Sequence, residues 1–313
     1  MKLTTTMGRQ AGDFLSYILL PLCCALLPYA WGQAVISTIA RQGWLLEARS
    51  ATALAMAQRF VPVVNEHRWK VRWRLTELIE PRDLWFSMLG RGKVLARAVR
   101  QQGMPALADN LVLIGMHWGP SVLALQLFYD AGHAPRFVYR SVSPEIRRST
   151  PFHYLYLRLL VAYIRRICAG RDIVVPGARR ELETAQRAPG SPVILLDAPT
   201  TGSARSIKVK VGNLEAEFSR DGAEQLVAGK SLCVLYSLGM DDSGANVLNC
   251  GAPFVPDSAE QLMQRFADLL FRSIGKDSAQ WRLWHAADQL FRNPSAAVKT
   301  AGSQLNQTDP GQC

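Results

Sequence analysis

The stretch Leu111–Pro120, LVLIGMHWGP, continued by SVLALQLFYDAG as far as Gly132, decides the fold class. The apolar run from Leu111 to Met116 is short and bounded by turn residues, so it reads as a strand covered on both faces. Trp118-Gly119-Pro120 ends it, and Pro120 preorganises the first turn of a helix. A strand, a tight turn and a helix in direct succession open a parallel α/β unit. The turn presents its side chains at the carboxyl end of the strand, where open sheets bind ligands. His117 occupies that turn. Imidazole titrates near neutrality and can take a proton from an attacking alcohol, and a helix N-terminus beside it favours negative charge.

Outward from this unit the same pattern repeats. Apolar runs at 136–141, 172–176, 193–198, 206–211 and 231–238 predict further strands, and helices are expected at 120–131, 151–167, 177–188, 219–229 and 257–275. Residues 43–104 have helical character throughout. The expected fold is therefore α/β, a central mixed sheet flanked by helices, over residues 43–292. After Asn293 the chain lacks aromatics and turns to small polar residues, which predicts a disordered tail at 293–313.

The first 42 residues read differently. From Phe14 to Ala40 no residue carries a formal charge. As one helix this stretch would run about 40 Å, enough for a hydrocarbon core of about 30 Å. Pro21 and Pro28 interrupt it, leaving a tilted span, a re-entrant hairpin or an interfacial anchor open. Residues 1–42 are thus expected to be an N-terminal membrane-anchoring helical segment. A cleaved signal peptide is disfavoured, because its basic region would be long and would contain Asp13. Downstream, Trp69 and Trp73 alternate with Arg68, Lys70, Arg72 and Arg74, and beside an anchor this suggests indoles at headgroup depth and cations on anionic lipid rather than a nucleic-acid surface.

Charge and missing motifs narrow the chemistry. Lys plus Arg number 36 against 25 Asp plus Glu, a formal charge of +11, and the excess is concentrated in residues 41–190. That part should attract anions. The six cysteines show no metal spacing and suit a reduced core. Ser121 and Ser219 lie outside any G-x-S-x-G elbow, and phosphate-binding and zinc-protease motifs are absent from the sequence. His285, beside Trp281 and Trp284, reads as structural.

Four segments, in order, resemble the lysophospholipid acyltransferase superfamily, in particular its lipid A late (lauroyl and myristoyl) acyltransferase branch. They are IGMHWGP, FVYRSVSP, the block VILLDAPTTGSARSIKVKVGNLEAEFSRDGAEQLV, and DSAQWRLWHAADQLFR. The resemblance covers most of residues 80–292. It implies a membrane-associated O-acyltransferase that moves a fatty acyl group from an acyl carrier protein or coenzyme A thioester to a lipid or glycolipid hydroxyl. No cofactor is implied, and the location would be the cytoplasmic face of a bacterial inner membrane. His117 would be the general base, and Arg140 with Arg165 or Arg166 would hold phosphates of acceptor or carrier. Arg147, Arg148, Arg171, Arg179 and Arg180 would form a basic face for an acidic acyl carrier protein. The family motif H-x-x-x-x-D/E places an acid where this chain has Val122. Asp197, ending the run VILLD, is the substitute expected from strand-end position. The alternatives are a base that acts slowly alone and a relative that lost catalysis and kept lipid binding or scaffolding.

Overall fold

A computed structural model of the chain describes residues 2–175, 178–187, 189–199, 205–211 and 214–292. Its strands are β1 (Arg100–Gln102), β2 (Leu111–Gly115), β3 (Pro135–Arg140), β4 (Ile173–Val175), β5 (Ser191–Leu195), β6 (Ser206–Val211), β7 (Leu214–Ser219), β8 (Leu232–Met240), β9 (Asn246–Cys250) and β10 (Phe291–Arg292). A mixed seven-stranded sheet has the order β1-β9-β8-β2-β5-β3-β4, and a second sheet has the order β10-β7-β6. From β8 to β4 every pairing is parallel, while β9 runs antiparallel to β8.

β2 lies at the middle of the large sheet and every one of its residues is buried. Val112 and Ile114 enter the core on one face, and Leu111 and Leu113 enter the core on the other. Burial on both sides is why this strand is uniformly apolar rather than alternating. The helix Pro151–Ile167 has the expected bounds, and those at Ala178–Arg187, Arg220–Ala228 and Ala259–Asp277 lie within two residues of expectation. The helix after His117 is shorter, Leu123–Asp130, because the backbone from Pro120 first forms tight turns in which the N–H groups of Leu123, Ala124 and Leu125 bond carbonyls three residues back.

The N-terminal segment departs from one of its expected forms. It is broken into Lys2–Phe14, a π-helical turn Leu15–Leu19, Leu20–Leu26 and Tyr29–Gln42. Leu27 and Pro28 are extended, since a residue before proline is pushed out of the helical region. The last two helices fold back on each other. At Gly32 a Cβ would sit 2.4 Å from the Cys24 carbonyl oxygen, so only glycine allows this approach. Both pack on the helix Glu66–Met88 and bury Cys24, Ala25, Ile36 and Ala40. No helix among the described residues is long and apolar enough to cross a membrane. The outer side of the hairpin nonetheless exposes Leu26 at 64%, Trp31 at 68% and, just beyond, Trp44 at 60%.

The interfacial reading of Trp69 and Trp73 is corrected. Both indoles are buried, and Trp69 Nε1–H donates to Ser278 Oγ at 2.8 Å. Arg72 is tied to Asp277 and to the Met240 carbonyl, 2.7 Å each, rather than presented to a surface. The expected tail at 293–313 lies outside the described residues.

Candidate functional site

β2 and β5 are parallel neighbours, with Gly115 opposite Leu195, so the chain leaves both strands at the same sheet edge. Leu196 N–H still bonds the Gly115 carbonyl at 3.2 Å, which holds the two exits together. Two residues beyond Gly115 stands His117, and two beyond Leu195 stands Asp197. His117 Nδ1 and Asp197 Oδ1 are 2.7 Å apart, and the backbone N–H of His117 donates to Asp197 Oδ2 at 2.8 Å. Asp197 is fully buried, whereas the His117 side chain is 31% exposed. Trp281 Nε1–H also donates to Asp197 Oδ2, at 2.9 Å.

The turn is held from the far end of the chain. Gly119 N–H bonds the Gln280 carbonyl and Arg282 N–H bonds the His117 carbonyl, both at 3.0 Å. Trp118 N–H bonds Met116, so the backbone donors of His117, Trp118 and Gly119 are all satisfied within the protein. Gly119 has φ of +55°, and a Cβ there would lie 2.5 Å from the Leu238 carbonyl oxygen. The turn therefore needs glycine twice over, for conformation and for space.

With Nδ1 engaged by Asp197, Nε2 is the ring nitrogen left for a substrate proton. His117 lines a cavity of about 560 Å³. Part of its wall is apolar, with Val122, Phe137, Leu157, Leu160, Ile164 and Leu195. The helix Pro151–Ile167 contributes His153, Tyr156, Leu160 and Ile164, one face at helical spacing. Val122 thus lines the cavity where the resembled motif carries its acid, and the carboxylate comes from the neighbouring strand instead.

Another part of the wall is ionic. Arg282 bonds Glu77 at 3.1 Å and also Glu80. Glu80 accepts from Tyr156 at 3.0 Å and from Ser121 at 3.2 Å. Arg49 lies 3.5 Å from the other oxygen of Glu77 and donates to the Tyr17 hydroxyl. Burial works against the charge on Glu77, yet Arg282 and Arg49 hold its carboxyl below the ordinary value. Burial also opposes the charge on Arg282, and Glu80 and Glu77 outweigh it. His153 stacks on Tyr17 with ring centroids 4.8 Å apart. Burial, reinforced by Arg49, pushes His153 down to about 4, so it is neutral near pH 7. His285 also lines the cavity, and burial lowers it.

Not every expected site residue joins this arrangement. Arg140 is an exposed residue lining the cavity. Arg165 and Arg166 are elsewhere. They end the helix Pro151–Ile167 off its cavity face, Arg165 lying 3.7 Å from Asp172 and Arg166 donating to the Ser87 carbonyl at 3.0 Å. Besides Arg140, the guanidiniums in the wall are Arg49 and Arg282. Sequence reasoning passed over both, along with Glu77 and Glu80. Glu77, Glu80 and Arg282 are brought together only by contact between the helix Glu66–Met88 and the end of the chain.

No family model matches the chain, and no curated protein matches it. Among solved structures, it is similar to the crystal structure of the 1-acyl-sn-glycerophosphate (LPA) acyltransferase, PlsC, from Thermotoga maritima. The likeness has 16% identity and a TM-score of 0.35, and covers 84% of this chain and 98% of that one. At those values it does not decide the family or the activity of this chain.

Proposed function

We propose that the protein is an O-acyltransferase that moves a fatty acyl group from a thioester carrier to a lipid or glycolipid hydroxyl. The observation that carries the reading is the buried Asp197 carboxylate 2.7 Å from Nδ1 of a half-exposed His117 at the wall of a largely apolar cavity. In this scheme Nε2 takes the proton of the acceptor hydroxyl as its oxygen attacks the thioester carbonyl. Asp197 offsets the charge of the imidazolium. The tetrahedral intermediate collapses with loss of the carrier thiolate, which receives the proton from Nε2. One ester bond forms, one thioester bond breaks, and no acyl-enzyme is needed. The apolar wall suits an acyl chain, and no cofactor enters the scheme.

Arg140 is the cation placed to meet a phosphate of acceptor or carrier, and an acidic acyl carrier protein would dock on exposed Arg147 and Arg148. The outward Leu26, Trp31 and Trp44, beside Arg41, suit a monotopic contact with anionic lipid, which fits work at the cytoplasmic face of a bacterial inner membrane. The non-catalytic alternative drew its force from Val122. The Asp197 carboxylate beside His117 supports the catalytic reading over it.

The test is transfer from a labelled acyl carrier thioester to a total lipid extract by the full chain. Wild type is expected to produce a new acylated lipid and His117→Ala none. Transfer that persists unchanged in His117→Ala, or no transfer by wild type to any extracted lipid, overturns the reading.

A further inference from the structure

We propose that Trp281 is a positioning residue, whose indole N–H fixes the Asp197 carboxylate so that one oxygen, Oδ1, addresses the His117 ring. The kinetic part of this inference rests on the acyltransferase reading, and the spectroscopic part does not.

Asp197 lies in a turn beyond its strand, and the terminal torsion of an aspartate is broad and roughly two-fold, so the backbone alone does not set the plane of its carboxylate. Three donors set it. Oδ2 accepts from the His117 backbone N–H at 2.8 Å and from Trp281 Nε1–H at 2.9 Å, while Oδ1 faces Nδ1. With Oδ2 held by two donors, Oδ1 is the oxygen turned to the ring; an ionised carboxylate only accepts, so Nδ1 carries the proton and the neutral ring has none on Nε2. That is the tautomer a general base requires.

The indole is itself immobilised. Trp281 is fully buried, packed edge-on against Trp284 at 4.8 Å and tilted against Phe291 at 5.2 Å between ring centroids. Its backbone pairs with Trp118 in an isolated bridge. Its neighbours are fixed from two directions. Gln280 accepts from the Met240 backbone N–H at 2.6 Å and donates to its carbonyl at 2.8 Å, and Arg282 is held by Glu77 and Glu80. Gln280, Trp281 and Arg282 therefore form a strap that touches the turn of the base through two backbone bonds, at His117 and Gly119, and the acid through the indole.

The decisive experiment is a double-mutant cycle. Trp281→Phe keeps an aromatic ring and removes only the donor. A hydrogen bond to a charged group is of a size to lower kcat about 10- to 100-fold, with both KM values unchanged. In an Asp197→Ala background the same substitution should change nothing further. An equal fall in both backgrounds, or unchanged kcat in the first, overturns the proposal. Nitrogen-15 and proton spectra of the His117 ring should show Nε2 unprotonated in wild type and a displaced Nδ1–H resonance in Trp281→Phe, as the carboxylate loses its fixed plane. Identical spectra overturn it as well. If Trp281→Phe does not fold, the indole N–H signal of Trp281 is followed in the Asp197→Ala protein. It must move upfield, and an unmoved signal refutes the contact. Wild type that transfers no acyl group would defeat the functional reading while leaving both spectral tests decisive for Trp281.

Discussion

Replacing Asp197 by Asn keeps the size of the side chain and removes its charge. In the structure the carboxylate accepts three hydrogen bonds and donates none. An amide has one oxygen for the three donors, and its NH2 must face either Nδ1 or the pair formed by the His117 N–H and the Trp281 indole. Facing Nδ1, it selects the tautomer with the proton on Nε2, and the base is lost. Facing the other two, it leaves buried donors without an acceptor, at a cost of about 1–3 kcal/mol each. Either way a neutral partner cannot offset the imidazolium. By analogy with a serine-protease triad in which the aspartate becomes asparagine, turnover should fall about 10⁴-fold, equivalent to about 5 kcal/mol of barrier. The assay is single-turnover transfer from a labelled thioester, with thermal unfolding run in parallel. A folded Asp197→Asn protein that turns over within a few-fold of wild type would refute the assignment of this carboxylate.

Adding an acid at the motif position, Val122→Asp, should give no gain in transfer rate, because His117 Nδ1 is already engaged by Asp197, and should lower the melting temperature through a second carboxylate near Glu80. Gly119→Ala should cost at least about 1–2 kcal/mol in urea unfolding, since a left-handed φ and a 2.5 Å approach to the Leu238 carbonyl oxygen both oppose a methyl group. Glu80→Ala leaves the Tyr156 hydroxyl without its acceptor and Arg282 with Glu77 as its remaining carboxylate, and should destabilise the fold by about 1–3 kcal/mol. His153 is held below its ordinary 6.5 at about 4, so it contributes stability present above pH 6.5 and lost as pH falls toward 4. Unfolding curves of His153→Phe should accordingly be flatter than wild type across that window, and parallel curves would contradict the burial of this ring.

The parts of the fold legible in the sequence were those where one local signal dominates. β2 is buried on both faces and shows it as an unbroken apolar run, and β5 shows the same from Val193 onward. β7 alternates Leu214, Ala216 and Phe218 inward with Glu215 and Glu217 outward, a period-two signal that was present and was passed over inside a longer block. β9 is short and closed by polar residues, and it carried little to find. The spacing of Trp69 and Trp73 correctly marked one helical face, but periodicity cannot say whether protein or lipid covers it. The helix Ala259–Asp277 and the Ser278 turn after it supplied the answer from 200 residues away. At the site, His117 and Asp197 could be read because each follows a strand. Trp281 and Arg282 could not, because their partners are set by how the chain end returns across the sheet edge.

The pairing of β2 with β5 bears on how such a site tolerates change. Base and acid are 80 positions apart in the chain, yet each is two steps past residues that face each other in the ladder. Inserting residues in the connection between β3 and the helix Pro151–Ile167, or between that helix and β4, lengthens loops and leaves the pair untouched. Adding a single residue between Ile114 and His117 turns the imidazole away. A pattern search that requires a fixed interval between histidine and carboxylate will pass over every chain whose acid arrives from the adjacent strand, whereas a search on inter-strand alignment will find them.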